Sequence, residues 1–266
     1  MLDVHAPHEA SHTWQGFFIH IATIVIGLII AVGIEQTVEY FHHRHQVAES
    51  REALRLEREE NKRRFAHETG YWRWEAVELQ NNLLVLQYLQ QHPGTPQDKL
   101  PGVLYWGHRS EPHVHSTWDA IQQTGVAALM PQDEVAEYAQ LYRSLDRVDE
   151  SNDTAWRAIN EAERFEFIDS DPSQMSGGAL AEAISLTQTA LTRHFLLGVA
   201  LENLQSTFRD FPPTVTLDEV HQLRHPPDGR TRASLNSAQE LTNNRLKAAG
   251  WVPMKSNDAP PSISPK

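Results

Sequence analysis

The chain has 266 residues, a net charge of −12 with its histidines neutral, and no cysteine. The charge argues against a nucleic-acid partner, because phosphate binding needs clustered Lys and Arg on a positive surface; the missing cysteines remove disulfides, a thiol nucleophile and cysteine-type zinc or iron–sulfur sites. Fifteen histidines predict a pH-dependent assembly or solubility, since protonating a share of them near about pH 6 moves the net charge toward zero.

The N-terminal tail, residues 1–16, has no Lys or Arg and carries Asp3 and Glu9. The run "FFIHIATIVIGLIIAVGIEQ" follows, and residues 17–34 contain no charged residue and no proline. Eighteen helical residues span roughly 27 Å, about one hydrocarbon thickness, so residues 17–38 are expected to be a transmembrane helix with the lipid bilayer as its first partner. Ala31-Val32-Gly33 resembles a signal-cleavage site, but a signal peptide needs a positive leader that this chain lacks. At 100° per residue, Gly16, His20, Thr23, Gly27, Ala31 and Glu35 share one side of the helix. Thr23, Gly27 and Ala31 form a small-xxx-small pattern that lets two helices approach closely and predicts a homodimer through these three residues. His20, near the end of the span, can reach the interface. The positive residues all follow the span, from Arg44 through Arg51, Arg55, Arg58, Lys62, Arg63 and Arg64, which places the body in the cytoplasm.

Residues 39–91 contain no proline and read as a long helical stalk, with a break expected near Gly70. Phe41, Val47, Leu54 and Phe65 make a thin apolar seam on a mostly solvated first part, whereas Trp72, Ala76, Leu79, Leu83 and Leu86 make a firmer one on a second part that packs. His42, His43, Arg44 and His45 fall at headgroup level. Pro and Gly interrupt every period in residues 92–115, which read as a loop. In it His113 and His115, with Glu111 before and Asp119 after, are the most metal-like constellation in the chain. No second ligand group follows at a recognised spacing, so no metal, cofactor or catalytic residue is assigned.

Residues 116–211 are expected to form a helical bundle. Ser116 and Asp119 suggest a capping box, Gly125 a left-handed helix stop, and Pro131 the next helix start. Leu129 and Met130 would plug the corner, and Val135, Tyr138, Ala139, Tyr142, Leu145 and Val148 give the following helix one apolar face. Acids at the start of that helix argue against a DNA-reading helix-turn-helix. Residues 176–211, with Leu180, Ile184, Leu191, Leu197, Leu201, Leu204 and Phe208, read as a further bundle helix. Residues 212–250 read as a connector and a short helix capped by Gly250, and 251–266 as a Pro- and Ser-rich tail.

Gly27, Ile30, Ala31, Ile34 and Glu39, followed by a charged stalk, and the block "STWDAIQQTGVAALMPQDEVAEYAQLY" with its Leu141-Tyr142 pair resemble a family of uncharacterised bacterial single-pass membrane proteins, a domain of unknown function. Members often carry Asn-Trp after the span, where this chain has Gln36-Thr37, and a basic N-terminus, which would imply a periplasmic body. The resemblance implies the bacterial inner membrane and brings no activity with it.

The fold expected is therefore all-α: one N-terminal transmembrane helix, a long helical stalk and a helical bundle. No Walker loop, GxGxxG, GxSxG or HExxH is present, so no enzyme is expected. The function expected is that of a membrane-anchored structural or adaptor protein acting on an unknown protein partner. The alternative is a membrane-tethered ligand-binding or sensory module with a pocket lined by Trp72, Trp74, Tyr105, Trp106, Trp118 and His113. A metal-dependent enzyme at His113 and His115 comes third.

Overall fold

The computed structural model describes residues 14–102, 104–168, 171–212 and 216–222. The short helix ending at Gly250 and the 251–266 tail lie outside the described residues. Those described form α-helices and short 3-10 turns with no strand, in line with the all-α expectation. The helices are α1 (Trp14–Gln91), α2 (Ser116–Gln123), α3 (Gln132–Ile168), α4 (Gly177–Thr207) and α5 (Leu217–Gln222).

α1 has 78 residues and is about 117 Å long at 1.5 Å per residue. It runs through Gly70 without the expected break, because Gly70 is buried inside the bundle. Its two ends differ. Every residue from 17 to 42 is exposed, and this is the one described helix long and apolar enough to cross a membrane. Burial begins at Val47, roughly 20 Å beyond Ile34. The expected solvated first half of the stalk is corrected here: Leu54 and Phe65 have no exposed surface, and Glu57, Asn61 and Lys62 are buried too. The charges that suggested a solvated face are matched by other elements, with Arg51 bonded to Glu134 and Arg58 to Glu137 and Asp210.

α1, α3 and α4 make the bundle, each with a seam of period 3.5. On α4 the buried positions include Leu180, Ala183, Thr187, Ala190, His194, Leu197, Leu201 and Leu204. On α3 they include Leu141, Leu145, Val148, Asn152, Ala155, Ile159 and Ala162. Alternating steps of three and four keep one face of each helix on its neighbours. α1 presents Phe65, Trp72, Leu79 and Leu86, one every seven residues, all buried. Trp72 packs against α4 so closely that a Cβ on Gly198 would stand 2.6 Å from its ring, which explains a glycine in mid-helix despite its cost to helix formation.

The helix boundaries follow local chemistry. Gly125 adopts φ +76° after α2, the left-handed stop expected of it. Ser176 caps α4 by accepting from the Ala179 amide, and Asp133 and Glu134 sit in the first turn of α3, where acids are favoured. The capping box expected at Ser116 and Asp119 is absent. Ser116 instead donates its hydroxyl to Glu57 of α1, which also accepts from the Thr117 and Trp118 amides. Met130 is buried at the α2–α3 corner, whereas Leu129 is 40% exposed.

Candidate functional site

Residues 104–115 are extended and run antiparallel to α1, taking the place of a fourth helix. An extended strap has no internal hydrogen bonds, so its buried backbone groups need outside partners. A second heptad column on α1 supplies them: Leu54, Asn61, Glu68, Glu75, Asn82 and Leu89 recur every seven residues, all buried, and the middle four are polar. Asn82 donates to the Tyr105 carbonyl at 2.5 Å and accepts from its amide at 3.0 Å. Asn61 repeats the pattern on Val114, at 2.8 and 2.7 Å. Between them Glu75 accepts from the Arg109 amide at 2.8 Å, and Glu68 accepts from the Glu111 amide.

At the centre of this ladder three histidines and several carboxylates meet. His108 of the strap has Nδ1 3.1 Å from Glu75, with side chains 6% and 1% exposed. His194 of α4, with no exposed surface, has Nε2 2.7 Å from the Trp72 carbonyl and Nδ1 3.6 Å from Glu75. Trp72 returns a bond from Nε1 to the His194 carbonyl at 2.9 Å, and the two rings stack at 5.5 Å. His113 of the strap places Nδ1 2.7 Å from Asp149 of α3, which also accepts from the His113 amide. Asn152, one turn beyond Asp149, donates to Ser110.

Electrostatics follow from burial. Burial pushes the Glu68 carboxyl well above the ordinary range, helped by the nearby charges of Glu75, Asp149 and Glu111 and opposed by the Glu111 amide. Burial lowers His194, partly offset by Glu75 and the Trp72 carbonyl. At the outer edge Glu111 behaves differently: burial would raise it, but Arg63 and His67 outweigh that and hold it below the usual range. Glu60, bonded by Arg63 and Arg64 against a smaller effect of burial, is lowered to about 2.

The most metal-like constellation of the sequence does not come together with its two carboxylates: His113 and His115 both face Asp149 instead. His115 lies 3.5 Å from Asp146 and 3.7 Å from Asp149, Glu111 turns to Arg63 and His67, and Asp119 is exposed on α2. Among the described residues no group of three or more His, Asp and Glu is arranged to hold a metal ion. The aromatic positions are packing positions. Trp118 is buried and stacks on Tyr142 at 5.4 Å with ring planes 3° apart, and the Tyr142 hydroxyl, raised above its ordinary pKa by burial and by its bond to Glu57, completes the set around that carboxylate. Glu57, Asn61, Glu68, Glu75, His108, Asp149 and His194 were not singled out by sequence. Asn61, Glu68, Glu75 and Asn82 recur every seven residues on α1, a spacing that a solvated helix face shows as well.

The partners of the three histidine rings are carboxylates and one backbone carbonyl. On the outer side of the α3–α4 hairpin lies an open groove of about 820 Å³, lined by Arg143, Arg147, Leu196, Val199 and Ala200 among others. Together these features define an all-α chain whose first helix carries an unburied apolar end and whose body encloses a histidine–carboxylate cluster. Compared with family models, curated proteins and solved structures, the chain matches none.

Proposed function

We propose that this chain is a membrane-anchored helical protein, of the bacterial single-pass type it resembles, that presents its bundle to a protein partner as a structural or adaptor element. The observation that carries this reading is the bare apolar end of α1. Ile19, Ile24, Leu28, Ile29, Val38 and Phe41 are each more than half exposed among the described residues. An apolar surface of this extent is not left in water by a soluble protein, and a bilayer covers it. The helix continues without interruption across Ala31, Val32 and Gly33 into the body, which favours an anchor over a cleaved leader.

The stripe of Thr23, Gly27 and Ala31 offers a second copy of the span a close approach. A Cβ on Gly27 meets nothing within 4 Å among the described residues, so Gly27→Ile tests association without a clash at that Cβ. The sensory alternative has less support, because Trp72, Trp106 and Trp118 are buried in packed surroundings where a ligand pocket was expected. On the flanking charge, the body is cytoplasmic and the anchor lies in the inner membrane.

The test is extraction of the expressed full chain with alkaline carbonate, together with reporter fusions after residue 266. Retention in the membrane pellet and a cytoplasmic reporter signal are expected. Release into the supernatant overturns the anchor, and a periplasmic signal overturns the orientation.

A further inference from the structure

We infer that Tyr40 and Arg44 form a headgroup site for an anionic phospholipid in the leaflet next to the body, with the guanidinium and the phenol hydroxyl both directed to the lipid phosphate. The inference rests on the reading of residues 17–38 as a membrane span and names a lipid held at its end. It starts from one pair of side chains. The Arg44 guanidinium lies over the Tyr40 ring, 5.7 Å from its centroid, with Nη1 3.5 Å from the phenol oxygen. Phe41 packs against the same ring at 5.7 Å and an interplanar angle of 68°.

The pair stands where a headgroup lies. Exposed apolar surface continues past Ile34 through Val38 to Phe41, and Arg44 is about 4.5 Å further along the axis. Side chains on a helix lean toward its N-terminus, which for α1 is toward the span, so the guanidinium returns to the level of Tyr40. The headgroup layer is roughly 5–8 Å deep on each side of the hydrocarbon. Burial against the body begins only at Val47, which leaves Tyr40 and Arg44 exposed at that depth.

The charges around the neck sort by face. At 100° per residue Gly33, Thr37, Tyr40 and Arg44 lie within about 60° of one another, whereas Glu35, Glu39 and Glu49 lie at least about 100° from Tyr40. Two of those acids turn to histidines on their own side, Glu39 to His43 at 3.8 Å and Glu49 to His45 at 3.1 Å. Further along α1, Arg51, Arg55, Arg58 and Lys62 are matched to Glu134, Glu52, Asp210 and Glu59. Arg44 has no carboxylate partner among the described residues; its contacts are with Tyr40. A guanidinium offers a planar fork of N–H donors that fits two phosphate oxygens at once. The Tyr40 oxygen faces Arg44, so its own hydrogen is left to donate to the same phosphate.

The surface below the pair favours a lipid over free phosphate. Thr37 folds its hydroxyl onto the Gly33 carbonyl at 2.7 Å, and a Cβ on Gly33 meets nothing within 4 Å among the described residues. That side of the helix is therefore low and offers no open polar group, a shallow bed for an acyl chain leading down from the phosphate. The opposite end of the span has stacked Trp14, Phe17 and Phe18 but no Lys or Arg in residues 1–16, so the preference belongs to one leaflet.

The test titrates the detergent-solubilised full chain with phosphatidylglycerol or with phosphatidylcholine of the same acyl chains, and counts bound lipid by native mass spectrometry. Phosphatidylglycerol is expected to bind about fivefold more tightly, the size of effect one arginine has near an anionic surface. Arg44→Gln is expected to abolish the preference and Tyr40→Phe to reduce it. Arg55→Gln, which removes a guanidinium already paired with Glu52, is expected to keep it. Equal affinity for the two lipids in the native chain overturns the site, and so does an Arg44→Gln chain with the native preference. Loss of the preference in Arg55→Gln also overturns it, by making the effect one of total charge. Displacement of the lipid by excess inorganic phosphate overturns the choice of lipid as occupant. Alkaline carbonate extraction separates this site from the anchor: release of the chain ends both readings, whereas retention without a lipid preference ends the site alone.

Discussion

Between residues 17 and 42 α1 exposes every side chain although most of them are apolar, whereas between Glu57 and Asn82 the same helix buries two asparagines, several carboxylates and the head of Arg73. One continuous helix therefore reverses the usual rule along its length, and each half is stable for a different reason. The apolar half satisfies its backbone internally and needs only an apolar surrounding. The polar half is buried because it replaces, for an extended strap, the hydrogen bonds a second strand or water would give. A side chain's polarity alone does not say whether it faces solvent; what matters is what lies opposite.

Exchanging the character of the two halves tests this contrast. Asn61→Leu or Asn82→Leu removes both part-buried bonds to one strap residue, at roughly 1–3 kcal/mol per site. The expected outcome is a lower denaturation midpoint with membrane retention intact. A midpoint within error of the native chain would mean that the ladder is ornamental. Ile24→Lys makes the opposite change in the other half. A lysine at the middle of a span costs about 2.5–3.5 kcal/mol of insertion, so the membrane-bound fraction falls while the melting of the solubilised body is unaltered.

Glu68→Gln gives a smaller effect with a defined sign. The folded-state pKa of Glu68 lies well above its ordinary value, so the folded protein holds a proton that the unfolded chain releases above about pH 4.5. Stability from this group is complete below that pH and is lost as pH rises through the folded pKa. Glutamine mimics the protonated form and does not titrate. The variant should therefore gain on the native chain as denaturation midpoints are compared from pH 5 to pH 8.5, and a constant difference would refute the assignment. Smallest of all is Arg51→Ala. The pair with Glu134 at 2.6 Å is partly exposed, with side chains 47% and 24% accessible, and its loss is expected to shift stability by less than about 1 kcal/mol.

Much of the fold was legible in the sequence because it depends on short-range patterns. The apolar run announced the bare end of α1, Gly125 announced the turn that its φ confirms, and Leu180, Leu197, Leu201 and Leu204 stood at core spacing on α4 and are buried. The polar column was not legible as a buried feature. Glutamate and asparagine at helical spacing are what a solvated face also shows, and their partner is the backbone of residues 104–115, which leaves no side-chain pattern to match against. His113 attracted notice for its neighbour His115, but the residue that holds it is Asp149, 36 positions away in sequence. Long-range pairings of this kind are set by how α3 ascends beside the strap, and no local spacing encodes them.

The unbroken passage of α1 through Gly70 gives the molecule the mechanics of a rigid lever. No proline or exposed glycine lies between Ile34 and Gln91, a length of about 86 Å. With the span in a bilayer, a tilt of about 20°, ordinary for a single helix, carries the far end of the bundle sideways by roughly 30 Å. On the proposed anchoring, a change in bilayer thickness would become a sweep of the body across the membrane surface, because α1 has no proline or exposed glycine between Ile34 and Gln91 to act as a hinge.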